Sequence, residues 1–465
     1  MQALSLYSLV SKAARSVAAI SLATAIAVSA SVDAFAQGRV SVVRDAEIEA
    51  LVRDYARPIF KAAGLRPGVS IILVNDRSFN AFVAGQRMFI NTGALLQAET
   101  PNEIIGVIAH EAGHIAGGHQ ERLREQLARA QTMAIVAGLL GAGAIVAGAA
   151  TKSGELAQAG GGIAMGGGEM ARRGLLGYQR TEETTADRSA ITYLAATGQS
   201  AKGMLTTFER FQSALSLSGA RVDPYQISHP TPRDRISNLE QLAKNSPYYD
   251  RKDPPALQLR HDMMRAKIAV FTEGQGAVSR LFRKEPTGLA AQYGNAMATY
   301  LYGNARAALP KIDALLKQQP KNPYFHELRG DALMKTNQPA KAAESYARAV
   351  QLDQVKSGVL PISYGQALLA IGTPDSLKKA VTQIRTGLDR DRENATGYRY
   401  LAQAYGQLGD IAEAELATAE GHYYSGAYRD AKIFAARAQQ KFKRGTPGWI
   451  RAQDIINSRQ GTKKK

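Results

Sequence analysis

Apolar positions recur with helical spacing at Ile48, Leu51, Val52, Tyr55 and Ile59, which predicts a helix over residues 37–65 that Pro67-Gly68 ends. The β-branched run Val69–Val74 then reads as a strand. Ala81-Phe82-Val83 and Met88-Phe89-Ile90 flank Gly85 and read as a hairpin. Thr100-Pro101-Asn102-Glu103 opens a helix, with Thr at the cap, Pro at the first helical position and Glu three residues after Thr. The run Ile104, Ile105, Val107, Ile108, Ala109 makes that helix a buried one. Thr132–Ala150 is 19 residues without charge, rich in Ala and Gly, followed by the triplets Gly160–Gly162 and Gly166–Gly168. Its length suits a bilayer span. Its glycines, and its place between two helices that carry polar motifs, favour a mobile hairpin that touches a membrane or a partner. A second motif-bearing helix runs from about Tyr178 to Ala196, and residues 200–243 continue helical with a break at His229-Pro230-Thr231-Pro232. Asn245 to Pro255 is a linker by composition.

Beyond the linker the texture becomes Ala-rich and repetitive. Ala296, Ala308 and Ile312 recur 34 residues later as Gly330, Ala342 and Tyr346, and Pro320 closes the first unit. Further units start near Pro361, with Gly365, Leu368 and Ala380, and near Leu401, with Ala402, Tyr405 and Ala414. Ala431 and Ala438 fall in a last helix. This period and small/large pattern resemble the tetratricopeptide repeat, a helical solenoid.

The N-terminus reads as an export signal. Lys12 and Arg15 precede the uncharged run Val17–Val32, and Ala34-Phe35-Ala36 is a small-x-small cleavage site, so the mature chain is expected to begin at Gln37 in the periplasm. Lys12, Arg15 and Asp33 leave with it, taking the net charge from +18 to +17. Such a charge favours contact with anionic membrane surfaces or acidic proteins. Nucleic acid is not an expected partner, because the chain is exported and shows no helix-turn-helix signature. There is no cysteine, which excludes disulfides, thiolate metal sites and a cysteine nucleophile. A metal must sit on His, Asp or Glu.

His110-Glu111-Ala112-Gly113-His114 supplies such a site. Positions i and i+4 share a helix face, so both imidazoles reach one ion, and Glu111 stands beside the open position as general base. Two histidines and a carboxylate on a buried helix are costly unless they are engaged. A catalytic zinc needs a third protein ligand. A third histidine six residues after His114 would complete one known pattern, but Gln120 stands there. His119 comes one residue early, rotated off the metal face, which suits a structural or surface role. The other source is Arg180-Thr181-Glu182-Glu183-Thr184-Thr185-Ala186-Asp187, where Glu183 and Asp187 lie one turn apart. Glu183 fits as a ligand and Asp187 as acceptor for the outer N–H of a ligand histidine.

The set Asn80-Ala81-Phe82, Asn91-Thr92-Gly93, His110 to His114, Arg180 to Asp187, and Ser228-His229-Pro230 with Arg235-Ile236 resembles the gluzincin peptidases that include the CAAX prenyl protease and the heat-shock protease HtpX. With an export signal and C-terminal repeats, the chain most resembles periplasmic members of that family. Thr185 departs from it, since the family often has Glu there. The resemblance implies that Glu183 is the third ligand and that Asp187 orients a ligand histidine. It implies that His229 lies near the metal, either stabilising the oxyanion or occupying zinc's fourth position as a plug. Arg235 would support the transition state or that loop. It also implies misassembled outer-membrane proteins as substrates and their assembly machinery as partner.

The expectation is an α+β zinc metallopeptidase domain at 37–250 after a signal peptide at 1–36. An all-α tetratricopeptide-repeat solenoid follows at 256–455, then a basic tail at 456–465. One Zn2+ per chain would be held by His110, His114 and Glu183. Glu111, His229 and Arg235 would be catalytic, Asp187 would support His110 or His114, and Met88-Phe89-Ile90 would bind substrate by strand addition. A repeat-based periplasmic chaperone or scaffold with little proteolysis is the rival reading.

Overall fold

The computed structural model describes residues 41–151, 153–218, 229 and 233–458. The export signal, the basic tail beyond Ser458, and Ser228 and Pro230 beside His229 lie outside the described residues. The chain is mostly helical with one small sheet, and it divides into two units. Of the described residues, one holds those up to Val43, Ala56–Ala94 and Asn102–Lys252; the other holds Arg44–Tyr55, Leu95–Pro101 and those from Asp253 to Ser458.

In the first unit, strands β1 (Val42–Val43), β2 (Ser70–Val74), β3 (Ala81–Ala84) and β4 (Arg87–Asn91) form a sheet in the order β1-β2-β4-β3. Of the expected helix over 37–65, the described residues form α1 (Ala46–Ala62). Val42 and Val43 instead pair antiparallel with Val74 and Leu73, where β-branched residues pack well. The hairpin at Gly85 forms as expected; Gly85 has φ of 62°, which favours glycine.

β2 and β3 flank β4 on its two sides, so its ladder groups are engaged. Strand addition at Met88–Ile90 is therefore corrected: the open edge is β3. Asn91 donates its N–H to Asn80 C=O, and pairing alternates from there, so Ala81 and Val83 turn their backbone groups outward.

Helices α2 (Thr92–Gln97) and α3 (Pro101–Gly117) follow β4. Asn91-Thr92-Gly93 folds that junction: Asn91 Nδ2 donates to Ser78 Oγ at 3.0 Å, and Thr92 Oγ1 and Gly93 N–H donate to Asp76 C=O at 3.0 and 2.8 Å. A Cβ at Gly93 would stand 2.2 Å from Arg77 O. After Gly118 (φ 64°) come α4 (His119–Thr151), α5 (Gly154–Ala196), α6 (Lys202–Ser218) and α7 (Arg233–Lys244). The uncharged stretch Thr132–Ala150 lies within α4, and the glycine triplets that follow it lie in the first half of α5, so the expected hairpin is a pair of long helices.

The second unit continues with α8 (Pro255–Glu273), α9 (Ala277–Leu281), α10 (Leu289–Tyr302), α11 (Ala305–Gln318), α12 (Pro323–Lys335), α13 (Pro339–Leu352), α14 (Val359–Ile371), α15 (Pro374–Arg390), α16 (Ala395–Leu408), α17 (Ile411–Tyr424), α18 (Tyr428–Lys441) and α19 (Pro447–Asn457). The starts of α10 and α12, and of α11 and α13, are 34 residues apart. Ala296, Ala308, Ile312, Ala342 and Tyr346 are all core, and a Cβ at Gly330 would meet the Tyr346 ring at 2.7 Å. The small positions of the repeat are therefore where a neighbouring helix carries its large one. The helix of Ala431 and Ala438 is not the last, because α19 packs Ala452 and Ile455 against it. The start of α1 also belongs to this unit: Tyr293 Oη donates to Glu47 at 2.7 Å, and Lys267 Nζ reaches Asp45 at 2.7 Å and Glu47 at 3.2 Å.

Candidate metal centre

Two close helix approaches build the site. Asn102, at the start of α3, donates to Ser200 C=O and accepts from Gly203 N–H, each at 2.7 Å, which ties α3 to the start of α6. Gly106 faces Met204 with 3.0 Å available to a Cβ, and Gly113 faces Ala186 O at the same distance. Gly113 thus lets α5 lie directly against the turn that carries His110 and His114. Glu183 and Asp187, one turn apart on α5, then face the two histidines.

His110 Nδ1 lies 3.0 Å from Asp187 Oδ1, and its Nε2 lies 3.0 Å from His114 Nε2. Glu183 completes the group, with Oε2 3.4 Å from His110 Nε2 and Oε1 3.3 Å from His114 Nε2. His229 Nδ1 stands 3.1 Å from both Glu183 oxygens and 3.3 Å from His110 Nε2, and its Nε2 is 3.4 Å from Glu111 Oε1. One donor atom from each of His110, His114, Glu183 and His229 lies within 4.8 Å of the others, and all four residues are buried. Arg235, on α7, bonds both carboxylates: Nη1 to Glu183 Oε2 at 2.8 Å, and Nη2 to Asp187 Oδ1 at 2.9 Å. The Phe208 ring sits under its guanidinium at 5.1 Å.

These distances test whether a metal fits. Asp187 accepts a hydrogen bond from His110 Nδ1–H, which leaves a lone pair on Nε2. His119 plays the matching part for His114: its Nδ1 is 2.8 Å from His114 Nδ1, and its Nε2 is 2.7 Å from Glu182. With the proton on His119 Nε2, drawn there by the Glu182 charge, His119 Nδ1 accepts from His114 Nδ1–H. Both ligand nitrogens then turn lone pairs toward each other and toward the Glu183 carboxylate. Such a group repels itself unless a cation lies among its members. Tetrahedral zinc, with His nitrogen at ~2.0–2.1 Å, would hold donors about 3.3 Å apart, which is the observed scale.

Without a metal, a proton on His110 would supply the positive charge that this group calls for. Burial acts against a proton on His110, yet its bonds to Asp187 and Glu183 outweigh burial and hold it up at about 9. Burial pushes His114 down to about 4. Burial would raise Glu183, but the charge of His229 and the bonds from His110 and His114 hold it well below the usual carboxylate range. The site thus favours one positive charge among these donors.

Glu111 is set apart. It is fully buried, and among the described residues neither carboxylate oxygen has a hydrogen-bond partner, although His229 Nε2 stands 3.4 Å from Oε1. Burial raises its pKa above the ordinary value. A desolvated carboxylate with free lone pairs is a stronger base than one in water.

The structure therefore gathers every residue singled out in the sequence: His110, Glu111, His114, Glu183, Asp187, His229 and Arg235. It adds His119 and Glu182, which back His114 as Asp187 backs His110. It also adds Gln120, whose side-chain amide accepts from Gly85 N–H at 2.8 Å and donates to Val83 C=O on the open edge of β3. Wheel geometry extrapolated from His114 did not find these roles. Gly118 breaks the helix, and α4 starts in a new direction.

Comparison with known proteins agrees with the geometry. Residues 42–243 match peptidase family M48, and residues 296–355 match a tetratricopeptide repeat. The chain is 27% identical over 406 residues to the putative beta-barrel assembly-enhancing protease of Vibrio cholerae, covering 84% of this chain and 79% of that protein. It is 23% identical over 401 residues to the beta-barrel assembly-enhancing protease of Escherichia coli K12, covering 84% and 78%. Residues 42–243 are accordingly a peptidase family M48 domain, and the chain is a metallopeptidase with tetratricopeptide repeats C-terminal to that domain.

Proposed function

We propose that the protein is a zinc-dependent endopeptidase of the cell envelope that acts on outer-membrane proteins during their assembly. The observation that carries the catalytic part is the bare Glu111 carboxylate beside three converging donors. His110, His114 and Glu183 hold the ion. When bound, zinc polarises the scissile carbonyl and lowers the pKa of water at the site. Glu111 takes the proton of the attacking water and delivers it to the leaving amine. Asp187 and His119 fix the tautomers of His110 and His114, and Arg235 keeps Glu183 and Asp187 in place and charged. An extended substrate pairs with the outward groups of Ala81 and with Val83 N–H on β3, beside the Val83 C=O that Gln120 holds.

The envelope setting rests on the export signal, the net charge and the names of the relatives. The repeats offer a surface for substrates or for assembly partners. Mass spectrometry of proteins held by a Glu111→Gln variant in the envelope tests this. Enrichment of unfolded outer-membrane proteins is expected, and a catch of soluble proteins alone would remove the substrate assignment.

His229 serves as a plug. Its Nδ1 stands within the donor group, against both Glu183 oxygens, where it competes for the open position of the site. Its withdrawal would admit substrate. Zinc-loaded His229→Ala should therefore cleave an unstructured protein several-fold faster than wild type. A slower rate would assign His229 to the transition state instead.

A further inference from the structure

The helical hairpin of α4 and α5 is built with its small residues inside and its large ones outside. Gly141 and Gly148 are buried on the side of α4 that faces α5. A Cβ at Gly160 of α5 would stand 2.6 Å from Gly141 O and 2.8 Å from Ile145 N, so the two backbones touch. The large apolar side chains point away from that seam. Met133, Val136 and Leu140 lie on one face of α4 and Ile135, Leu139 and Val146 on another, about 110° away at 100° per residue. All six are exposed, Leu139 to 70% and Ile135 and Leu140 to 63%. On α5, Leu156, Ile163 and Met170 are exposed at seven-residue steps.

In water this arrangement is unfavourable. A seam of Gly and Ala removes little apolar area, while the area that would stabilise the pair stays wet. In a bilayer the balance reverses. Acyl chains cover large side chains from every direction, and close backbone approach through small residues is what joins helices there. A docked protein would cover one stripe; here two faces of α4 need covering, which suits a fluid solvent.

Among the described residues, α4 is the one helix long and apolar enough to cross a membrane. Its uncharged run Thr132–Ala150 is 19 residues, about 28 Å at 1.5 Å per residue, against ~30 Å of hydrocarbon. The charges fit as well. Where the hairpin leaves the apolar zone, Arg124, Arg129, Arg173 and Arg180 are exposed and outnumber the exposed Glu121 and Glu125. In a chain of net charge +18, such a base suits anionic headgroups.

We propose that the α4–α5 hairpin is a lipid-binding arm, which buries its apolar faces among the acyl chains of an anionic bilayer and holds the metal centre at the membrane surface.

The test is flotation of the full chain with vesicles of phosphatidylethanolamine and a minor fraction of phosphatidylglycerol. Wild type should float and stay bound when salt is raised, because acyl burial is not screened. The double variant Leu139→Asp/Leu140→Asp changes exposed positions only. It should keep its solution activity on a soluble unfolded protein and lose vesicle binding by at least about tenfold. Wild type that stays unbound, equal flotation of the variant, or complete release by salt would each overturn the arm. So would light scattering that shows a second copy, removed by the same double variant, covering these faces in the absence of vesicles.

Discussion

Glu111→Gln is expected to abolish turnover while zinc content and fold remain. An amide has the shape of the carboxylate but no lone pair able to take a proton, so the rate should fall by about 10²–10⁴-fold. Among the described residues the two Glu111 oxygens lack hydrogen-bond partners, so the change costs at most the 3.4 Å contact with His229 Nε2. The thermal midpoint should not drop, and it should rise if the buried charge is now a cost. Cleavage of an unfolded protein, read beside zinc content and thermal unfolding, checks all three. Cleavage at the wild-type rate would remove Glu111 from the mechanism. The same variant separates the peptidase from a repeat-based scaffold. A scaffold would keep full function in cells with Glu111→Gln, whereas a working protease would not.

Glu183→Ala should empty the site. Without that carboxylate, His110 and His114 supply only two donors, and a stable zinc site needs a third protein ligand. Stoichiometric zinc in the wild type is expected to fall to a small residue in the variant after gel filtration. Glu183→Gln, which keeps the shape next to Arg235 and His229, should behave the same way. His119→Ala should weaken binding without abolishing it, by about 10–100-fold, as removal of a partner behind a ligand does. Full zinc in Glu183→Ala would return His119 to the list of ligands.

The candidate donor group was legible because its physics is local. Two histidines one turn apart on a buried helix, and two carboxylates one turn apart on another, each declare a face by their spacing alone. What joins those faces was not legible. Gly113 reads as a variable position in the motif, yet it is the point where α5 lies against α3, with Ala186 O 3.0 Å from where its Cβ would be. His119 stands outside the group of His110, His114, Glu183 and His229, and its partnership with His114 and Glu182 depends on the chain reversal at Gly118. Strand addition was expected on β4, at the apolar run Met88–Ile90. That apolarity marks the sheet's centre, and the open edge is β3. Glycines 141, 148 and 160 hid a helix pair, since glycine costs about 1 kcal/mol in a helix relative to Ala and its packing value appears only when a second backbone approaches. The start of α1 escaped for another reason: Glu47 and Lys267 are 220 residues apart.

The central claim is that peptide-bond cleavage depends on a metal held by His110, His114 and Glu183. The most direct test is a titration of chelator-stripped wild-type protein with zinc, following cleavage of an unfolded protein against bound metal. Activity should vanish on stripping and return in proportion to zinc, saturating at one ion per chain. Full activity in the stripped protein, or zinc uptake at that stoichiometry without any return of cleavage, would contradict it.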